Sequence, residues 1–466
     1  YMALVQSFSG IRGIYDKDLT DSIAVRYAYA YYSFLRDKTR KNNPTIVIGI
    51  DTRPSGIKIS DAIISILDCS FIDAGIAPTP AIEFAVRHFN ADGGIIITAS
   101  HNEPYWNGFK FLGSDGAVLN EKDMNLVINN FRIKTLKNFH KIQDRKILEK
   151  NTEIIKEYTE FIHGIIGREN IEKIKGSKQK IVLDPNGGTA AIAKKILEQI
   201  GVEVIGVNMA YGEFNRAIEP NEDSLIYLKN IIDENKADFA AGFDCDADRV
   251  EILMNNGQLL SGNYILALVV DEILSNAKNQ QNQVVVVNDA TSNVVRDIVQ
   301  KYRAKLKEVE VGETNVVEEM HKSKAIVGGE GSSGGAIIPP SRCRDGILTL
   351  LMVLSLIAKK NMRLEDIIAE FPKYFTIRKN MEFDVAKHNS IKKYLKEYYS
   401  KKGFEIRETN SIKGSLKVIT GKNSFIWFRA SKTEGNVFRI ISDSDKKEEA
   451  EKLIEEAERV FSKANE

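Results

Sequence analysis

The 466-residue sequence predicts an α/β fold of three related domains followed by a smaller α+β domain. Three stretches, TIVIGIDTRPSG, QKIVLDPNGGTA and NQVVVVNDATSN, each combine a β-branched strand, an aspartate, small turn residues and then a helical pattern. Such stretches begin βα units. Because they are separated by roughly a hundred residues or more, they indicate separate domains and not a short repeat. The length agrees, since one hydrophobic core rarely serves more than about 300 residues.

The pattern changes after Lys360. FPKYFTIRKNMEF, GSLKVITGKNSFIWFRAS and GNVFRIISDS alternate in the manner of antiparallel strands, and DKKEEAEKLIEEAE is typical of a solvated helix. These stretches predict the α+β domain. We therefore expect boundaries near 150, 255 and 370, which give four domains: 1–150, 151–255, 256–370 and 371–466.

Composition excludes several classes of protein. The 65 basic and 64 acidic residues nearly cancel, so no global field attracts nucleic acid or an anionic membrane. The longest apolar run, ILTLLMVLSLIA, is too short to span a bilayer and suits a buried helix, and no signal peptide is expected. Three scattered cysteines argue against a disulfide framework or a zinc site. These features predict a soluble, cytoplasmic enzyme.

The stretch TASHNEPYWNGFKF, from Thr98 to Phe111, follows the apolar run GGIII. The run predicts a buried strand that ends in a loop. Ser100 lies in that loop, where α/β proteins place ligand chemistry. Serine is equally a common turn and cap residue, so the residues alone leave both a chemical and a structural role open.

Three alternating carboxylates occur in AAGFDCDADRVEIL: Asp244, Asp246 and Asp248. A loop could turn all three towards one hard cation such as Mg²⁺, which takes oxygen ligands. An EF-hand is disfavoured, since Arg249 replaces its glycine and Asn255 its bidentate glutamate. Two alternatives stay open: an Asp-x-Asp nucleophile of the haloacid-dehalogenase phosphatase type, and a solvated acidic turn.

The stretch VGGEGSSGGAIIPPSRCRDG contains formal matches to the GxGxxG and GxSxG patterns. Both patterns need a helix directly afterwards, and Pro339 and Pro340 forbid that helix. A loop that presents Glu330 and serine hydroxyls to the hydroxyls of a sugar fits better. The alternative is that Glu330 only orders the loop by pairing with Arg342 or Arg344.

Two further stretches suit a phosphate group. In WFRASKTEGNVFRI a turn between two strands carries Arg429, Ser431 and Thr433, whose guanidinium, hydroxyls and nearby backbone N–H groups suit a dianion. An ordinary hairpin with a surface arginine is the alternative. Near the N-terminus, SGIRG places Arg12 between two glycines, which leave the backbone open to close ligand approach.

Five motifs, SGIRG, TASHNEPYWNGFKF, DCDADR, GEGSSGG and RASKTEGN, occur in the order found in the α-D-phosphohexomutases, and the whole chain resembles that family. The resemblance implies four domains around a central cleft. It implies that Ser100 carries a phosphoryl group and that one Mg²⁺ is held by the phosphoserine and the three aspartates. It also implies a transient hexose 1,6-bisphosphate, which serves as intermediate and activator.

The resemblance assigns roles to further residues. It implies catalytic roles beside Ser100 for four side chains: Arg12, His101, Lys110 and Arg249. Lys110 is the expected proton carrier if neighbouring cations lower its pKa. Sugar binding is assigned to three residues: Gly312, Glu330 and Ser332. The non-reacting phosphate is assigned to Arg429, Ser431 and Thr433.

The sequence departs from the family pattern at four positions: Glu103, Trp106, Glu313 and Gly334. The last two stand where bacterial bifunctional enzymes have histidines, so no sugar assignment can be copied from those enzymes. We expect a mutase that interconverts hexose 1- and 6-phosphates, with glucose and mannose phosphates ahead of glucosamine phosphate. A sugar phosphatase and a non-catalytic sensor are the less favoured classes. We expect small sugar phosphates as partners, neither nucleic acid nor membrane, and a monomer or homodimer.

Overall fold

The computed structural model describes residues 4–7, 10–133, 146–409, 411, 413–431 and 435–466. It contains four β-sheets in chain order, three of them mixed and the last wholly antiparallel. This architecture confirms the predicted fold class. The predicted domain boundaries stay predictions.

The first sheet has seven strands in the order β1-β2-β6-β5-β3-β4-β7. The strands are β1 Val5–Ser7, β2 Gly10–Ile14, β3 Thr45–Ile50, β4 Ser70–Ile76, β5 Gly93–Ile97, β6 Trp106–Leu112 and β7 Ile147–Glu149. The helices are α1 Asp21–Thr39, α2 Gly56–Ile64, α3 Thr79–His88 and α4 Glu121–Ile133. β3 lies between parallel neighbours β4 and β5. Its unbroken apolar sequence follows from burial on both faces.

The second sheet has five strands in the order β12-β11-β10-β8-β9. The strands are β8 Lys180–Asp184, β9 Glu203–Gly206, β10 Phe239–Phe243, β11 Val250–Met254 and β12 Leu259–Leu260. The helices are α5 Asn151–Ile166, α6 Arg168–Ser177, α7 Ala193–Gln199, α8 Glu222–Leu225 and α9 Leu228–Asn235, with a 3₁₀ turn at Thr189–Ile192. β12 pairs with β11 although it lies past position 255, so this sheet extends to residue 260.

The third sheet has four strands in the order β14-β13-β15-β16. The strands are β13 Val284–Asn288, β14 Lys305–Val309, β15 Val327–Gly329 and β16 Ala336–Ile337. The helices are α10 Gly262–Asn276, α11 Asn293–Lys301, α12 Glu313–Ser323, α13 Gly346–Lys360 and α14 Leu364–Ala369, with a 3₁₀ turn at Gln280–Asn282. The apolar run ILTLLMVLSLIA forms the buried part of α13, as predicted. β16 and not a helix follows the glycine-rich loop, as the two prolines require.

The fourth sheet is antiparallel, in the order β17-β21-β20-β19-β18. The strands are β17 Phe375–Glu382, β18 Glu405–Glu408, β19 Leu416–Gly421, β20 Ser424–Ala430 and β21 Val437–Ser444. The helices are α15 His388–Lys401 and α16 Lys447–Asn465, with a 3₁₀ turn at Val385–Lys387. The helix predicted from the charged C-terminal run is α16, and the α+β character of this part is confirmed.

The hydrophobic clusters show how the four sheets are joined to one another. One cluster of buried residues continues from the first sheet through the third and includes Ala85, Leu197 and Val353. The last sheet packs its own core and meets the third through a small apolar patch that includes Ala290 and Trp427. The first three sheets therefore share one hydrophobic core, whereas the fourth sheet joins them through a smaller apolar interface.

The cysteines and the apolar helices bear on two expectations, the absence of disulfide bonds and of a membrane span. Cys69, Cys245 and Cys343 are buried and none of them is joined in a disulfide bond. Among the described residues, no helix combines the length and the hydropathy that a membrane crossing requires.

Candidate active site

Ser100 lies in the loop between β5 and β6 and is almost fully buried, at 1% exposure. Its backbone is left-handed, with φ of 52°, a conformation that costs a non-glycine residue about 1–3 kcal/mol. The turn is held because its N–H donates to Thr98 Oγ1 at 2.9 Å. Its Oγ donates to Asp244 Oδ2 at 3.0 Å, which joins the first sheet's loop to the second sheet's.

A buried ion pair that the sequence analysis missed supports this turn. Arg53 Nη1 lies 2.5 Å from Asp51 Oδ2, and both side chains are fully buried. Arg53 Nη2 donates to the Ser100 carbonyl at 2.9 Å and also to the carbonyl of Asn102. The available signal was positional: Asp51 directly follows β3, the parallel neighbour of β5, so both loops leave the same sheet edge.

Asp244, Asp246 and Asp248 form one cluster, with carboxylate oxygens that all lie within 4.8 Å of one another. Their exposures are 0, 1 and 2%, which removes the solvated-turn alternative. Burial and the two neighbouring carboxylates raise the pKa of Asp244 well above its ordinary value. Asp246 Oδ1 and Asp248 Oδ1 are buried without a hydrogen-bond partner among the described residues. Orphaned oxygens at converging carboxylates fit a hard divalent cation such as Mg²⁺.

Lys110, on β6, faces the other side of this cluster. Its Nζ donates to Asp246 Oδ2 at 2.7 Å and to Asp248 Oδ2 at 2.9 Å. Burial lowers the pKa of Lys110, but these two carboxylates raise it further, so that it lies above its ordinary value. The condition for a proton-carrying Lys110, a pKa lowered by neighbouring cations, is therefore not met, because the direct partners of the side chain are anions.

Three more basic side chains surround the serine. Arg249 Nε lies 3.7 Å from Asp248 Oδ1, and Arg12 Nη1 donates to Asn102 Oδ1 at 3.1 Å. Burial, with Arg249 next, lowers the pKa of Arg12 to about 10, so this side chain stays charged at neutral pH. Arg249, followed by burial and Arg12, lowers the pKa of His101, which is therefore neutral. The structure thus brings all four predicted catalytic partners to Ser100 and its aspartates.

The loops after the strands of the third sheet carry the residues that were predicted to bind sugar. Glu330 follows β15, and its Oε1 accepts from Asn288 Nδ2 at 3.0 Å and from the backbone N–H of Gly312 at 2.9 Å. Its Oε2 is 3.9 Å from Arg344 Nη1, a distance at the limit of an ion pair. Ser332 is exposed, and its carbonyl accepts from Arg378 Nη1 at 3.3 Å. The Glu330 carboxylate is therefore buried, with Oε1 held by Asn288 and Gly312 and Oε2 beside the Arg344 guanidinium.

Arg344 was expected only as a possible ion-pair partner of Glu330, and its links to the rest of the site were not predicted. It is buried and donates to Glu313 Oε2 at 2.6 Å, to Ser333 Oγ at 3.1 Å and to Asp248 Oδ2 at 3.3 Å. One guanidinium therefore contacts the aspartate loop 244–249 (the metal loop), the glycine-rich loop 330–335 (the sugar loop) and the first residue of α12. Its place in SRCRDG, just after the glycine-rich loop, was the signal that suggested a pairing with Glu330.

The fourth sheet contributes Arg429 and Ser431 at the end of β20, both buried. Arg429 Nη2 lies 3.3 Å from Glu310 Oε1, at the end of β14. Ser411 Oγ donates to the same oxygen at 2.8 Å, so Glu310 links the third sheet to the fourth. The predicted partner Thr433 lies outside the described residues.

Fold and site together define the chain's class, the α-D-phosphohexomutases. Sequence profiles of the phosphoglucomutase/phosphomannomutase family match three ranges: α/β/α domain I at residues 5–137, domain II at 156–257 and domain III at 261–375. The chain belongs to the phosphoglucomutase/phosphomannomutase family, and it is an isomerase of the phosphohexomutase type.

Relatives agree on the family and differ in their sugars. A phosphoglucomutase/phosphomannomutase of Thermococcus kodakarensis is 34% identical over 96% of both chains. A phosphoglucosamine mutase of Prochlorococcus marinus is 32% identical over 95% of this chain and 94% of its own.

Solved structures agree in fold. The open form of a Paramecium phosphoglucomutase has a TM-score of 0.81 at 20% identity and covers 99% of this chain and 95% of its own. The N-acetylphosphoglucosamine mutase of Aspergillus fumigatus, in complex with GlcNAc-6P and magnesium, has a TM-score of 0.60 at 15% identity over 100% of this chain and 96% of its own.

Proposed function

We propose that this phosphohexomutase interconverts hexose 1-phosphate and hexose 6-phosphate through phosphorylated Ser100 and a hexose 1,6-bisphosphate. The supporting observation is the meeting of Ser100 Oγ and Asp244 Oδ2 at 3.0 Å, inside a cluster of three buried aspartates. A serine hydroxyl is a weak nucleophile by itself. Phosphoryl transfer, however, depends mainly on positioning and on neutralising charge, and this cluster can supply both.

Asp244, Asp246 and Asp248 would hold the proposed Mg²⁺, with an oxygen of phosphorylated Ser100 completing the set. The Oδ1 atoms of Asp246 and Asp248 support this assignment, because they make no hydrogen bond among the described residues and a buried carboxylate oxygen without one is costly unless a cation balances it. When bound, the ion neutralises charge on the phosphoryl oxygens.

Transfer in the forward direction breaks the bond between phosphorus and Ser100 Oγ and forms a bond from phosphorus to a sugar hydroxyl oxygen. The hydroxyl loses one proton and the Ser100 oxygen gains one, so the step is balanced. Lys110, Arg12 and Arg249 supply fixed positive charge around the transferring group. Since the transition state of such transfers is loose, the hydroxyl proton leaves late and no strong base is needed beside it.

The second phosphate of the sugar is proposed to bind Arg429, Ser431 and Thr433. A guanidinium fork and hydroxyl donors match a dianion, and Arg429 faces the cleft beside Glu310. The bisphosphate must then turn end for end, so this site has to accept either phosphate. Binding energy from the non-reacting phosphate orients the sugar, and its loss would lower turnover as well as affinity.

Glucose and mannose phosphates are the proposed substrates. Three carboxylates at or near the ends of the third sheet's strands each have an arginine beside them: Glu310 has Arg429 at 3.3 Å, while Glu313 and Glu330 have Arg344 at 2.6 and 3.9 Å. A wall of compensated carboxylates offers little extra attraction to the ammonium group of glucosamine. Phosphoglucosamine mutase is the second candidate, supported by the 32% identical relative of that name.

A coupled assay with the 1-phosphates of glucose, mannose and glucosamine tests the proposal. We expect isomeric product without net release of phosphate, and faster turnover of the first two sugars. Ser100→Ala should abolish turnover and remove the mass of one phosphoryl group from the intact protein, while the exposed control Ser462→Ala should change neither. Net phosphate release would indicate a phosphatase, and a phosphorylated, active Ser100→Ala variant would refute the role of the serine.

A further inference from the structure

Arg344 stands at the junction of three elements that the proposed reaction needs together. Its Nη2 reaches Asp248 in the metal loop, its Nη1 reaches Ser333 in the sugar loop, and its Nε reaches Glu313 at the first residue of α12. The side chain is only 9% exposed and the Glu313 side chain 17%, so this is a largely desolvated pair. A planar fork with fixed donors is suited to holding several acceptors in one geometry.

Two glycines of the sugar loop, Gly334 and Gly335, allow the loop backbone to lie close to β11 and to Arg344. A Cβ at position 334 would lie 1.7 Å from the carbonyl oxygen of Val250, so Gly334 accepts no side chain without a backbone shift. A Cβ at Gly335 would approach Arg344 Cβ at 3.3 Å, and Gly335 has a φ of +146°. The loop therefore packs directly on β11 at Val250 and on Arg344, whose guanidinium holds the loop through Ser333 Oγ.

The charges of Arg344 and Glu313 also affect the binding of a cation at the aspartate cluster. Arg344 places one positive charge beside Asp248, on the oxygen that Lys110 also binds. Glu313 places a compensating negative charge on the far side of the guanidinium. A cation entering the aspartate cluster is thus repelled by Arg344, and Glu313 reduces that repulsion.

We infer that Arg344, anchored by Glu313, is a positioning residue of the proposed mutase that aligns the metal-binding carboxylate of Asp248 with the sugar-recognition loop and sets the affinity of the aspartate cluster for its metal. The inference rests on the proposed function. It assigns a joint role to Glu313, where the family pattern is broken, and to an arginine outside the five motifs.

Two substitutions separate this role from simple support of the fold. Arg344→Met keeps most of the side-chain length and removes the charge, so metal should bind about three- to tenfold more tightly, while the KM for hexose phosphate rises as the sugar loop loses its anchor. Glu313→Gln removes the compensating charge, so metal should bind more weakly by about the same factor. Arg344→Lys keeps the charge without the fork, so metal affinity should stay near that of the unmodified protein while the KM still rises.

The experiment is a Mn²⁺ titration followed by electron paramagnetic resonance, with preparations matched for phosphorylation by intact mass, together with kcat and KM for glucose 1-phosphate. Arg363→Met is the control, because it removes a positive charge from an exposed arginine that pairs with Asp366 on α14. It should change neither Kd nor KM. Opposite shifts of the Mn²⁺ Kd in Arg344→Met and Glu313→Gln support the inference.

Shifts in the same direction, or no shifts, in a protein that binds Mn²⁺ and turns over hexose phosphate would overturn the inference alone. If the unmodified protein neither bound Mn²⁺ nor turned over any hexose phosphate, the proposed function would fall and the inference with it. Loss of Mn²⁺ binding in both charge-removing variants, with the Arg344→Lys variant folded and unaltered in KM, would also count against the positioning role.

Discussion

Glu251 offers a quantitative test of the electrostatics beneath the sugar loop. It lies on β11, is 7% exposed, and its Oε1 accepts from the backbone N–H of Gly334 at 2.8 Å. Burial raises its pKa from 4.5 to about 8, against the opposing effects of the Gly334 hydrogen bond and of Arg249 and Arg378. The protonated carboxyl is therefore the form that the folded protein favours around neutral pH.

The sign of the effect on stability follows from proton binding. Between the unfolded value of 4.5 and the folded value of about 8, the folded state holds this proton more tightly than the unfolded state. The contribution of Glu251 to the free energy of unfolding is complete below about pH 4.5 and is lost as the pH rises towards 8. At about 1.4 kcal/mol for each pKa unit, the loss is on the order of a few kcal/mol.

Glu251→Gln copies the neutral carboxyl in size and keeps an acceptor for Gly334. In metal-free buffer we expect equal melting temperatures for variant and parent near pH 5, and a variant that melts roughly 2 to 5 °C higher at pH 8.5. Thermal unfolding from pH 5 to 9 measures the difference. Glu234→Gln, at an exposed position on α9, is the control and should give a flat difference. A flat difference for Glu251→Gln as well, or a variant that is less stable at pH 8.5, would refute the reasoning.

Three predictions concern the proposed chemistry. Asp246→Asn should lower kcat at least a hundredfold at saturating Mg²⁺, which corresponds to about 3 kcal/mol of transition-state stabilisation. EDTA should abolish the activity of the parent enzyme, and unchanged turnover in EDTA would contradict this prediction. Arg429→Lys should lower kcat/KM by about tenfold or more because the bidentate fork is lost, and an unchanged value would remove Arg429 from the phosphate site. Glu330→Gln should reduce kcat/KM about ten- to a hundredfold for glucose and mannose phosphates. Unchanged kinetics with a lower Tm would instead favour its ion pair with Arg344.

Some features of the molecule could be predicted from short stretches of sequence. Strands β3, β8 and β13 form where β-branched runs precede an aspartate and small turn residues, because local pattern and burial agree there. The meeting of Ser100 with Asp244, Asp246 and Asp248 was also predictable, since each lies in a loop at the end of a buried strand and the motif order matches the family. The family was confirmed, whereas the preferred sugar stays a proposal.

Lys110 shows what the sequence could not decide. Its proposed role as proton carrier depended on neighbouring cations that lower its pKa, but the structure puts its ammonium against Asp246 and Asp248, which raise that pKa. The sign of a pKa shift depends on which charge lies within a few ångströms. For a side chain between two domains, that distance is set by the packing of the sheets.

The amino-acid sequence by itself determined the class of fold, the family and the chemical inventory of the cleft, because these follow from periodicities and motifs that are local in the chain. Only the tertiary structure decided how that inventory is paired: Arg53 under the serine turn, Arg344 between Asp248 and Glu313, and Glu310 with Arg429. The physical reason is range. Strand and turn propensities act over a few residues, whereas these contacts join positions separated by about thirty to a hundred and twenty residues and form only when packed sheets bring the loops together.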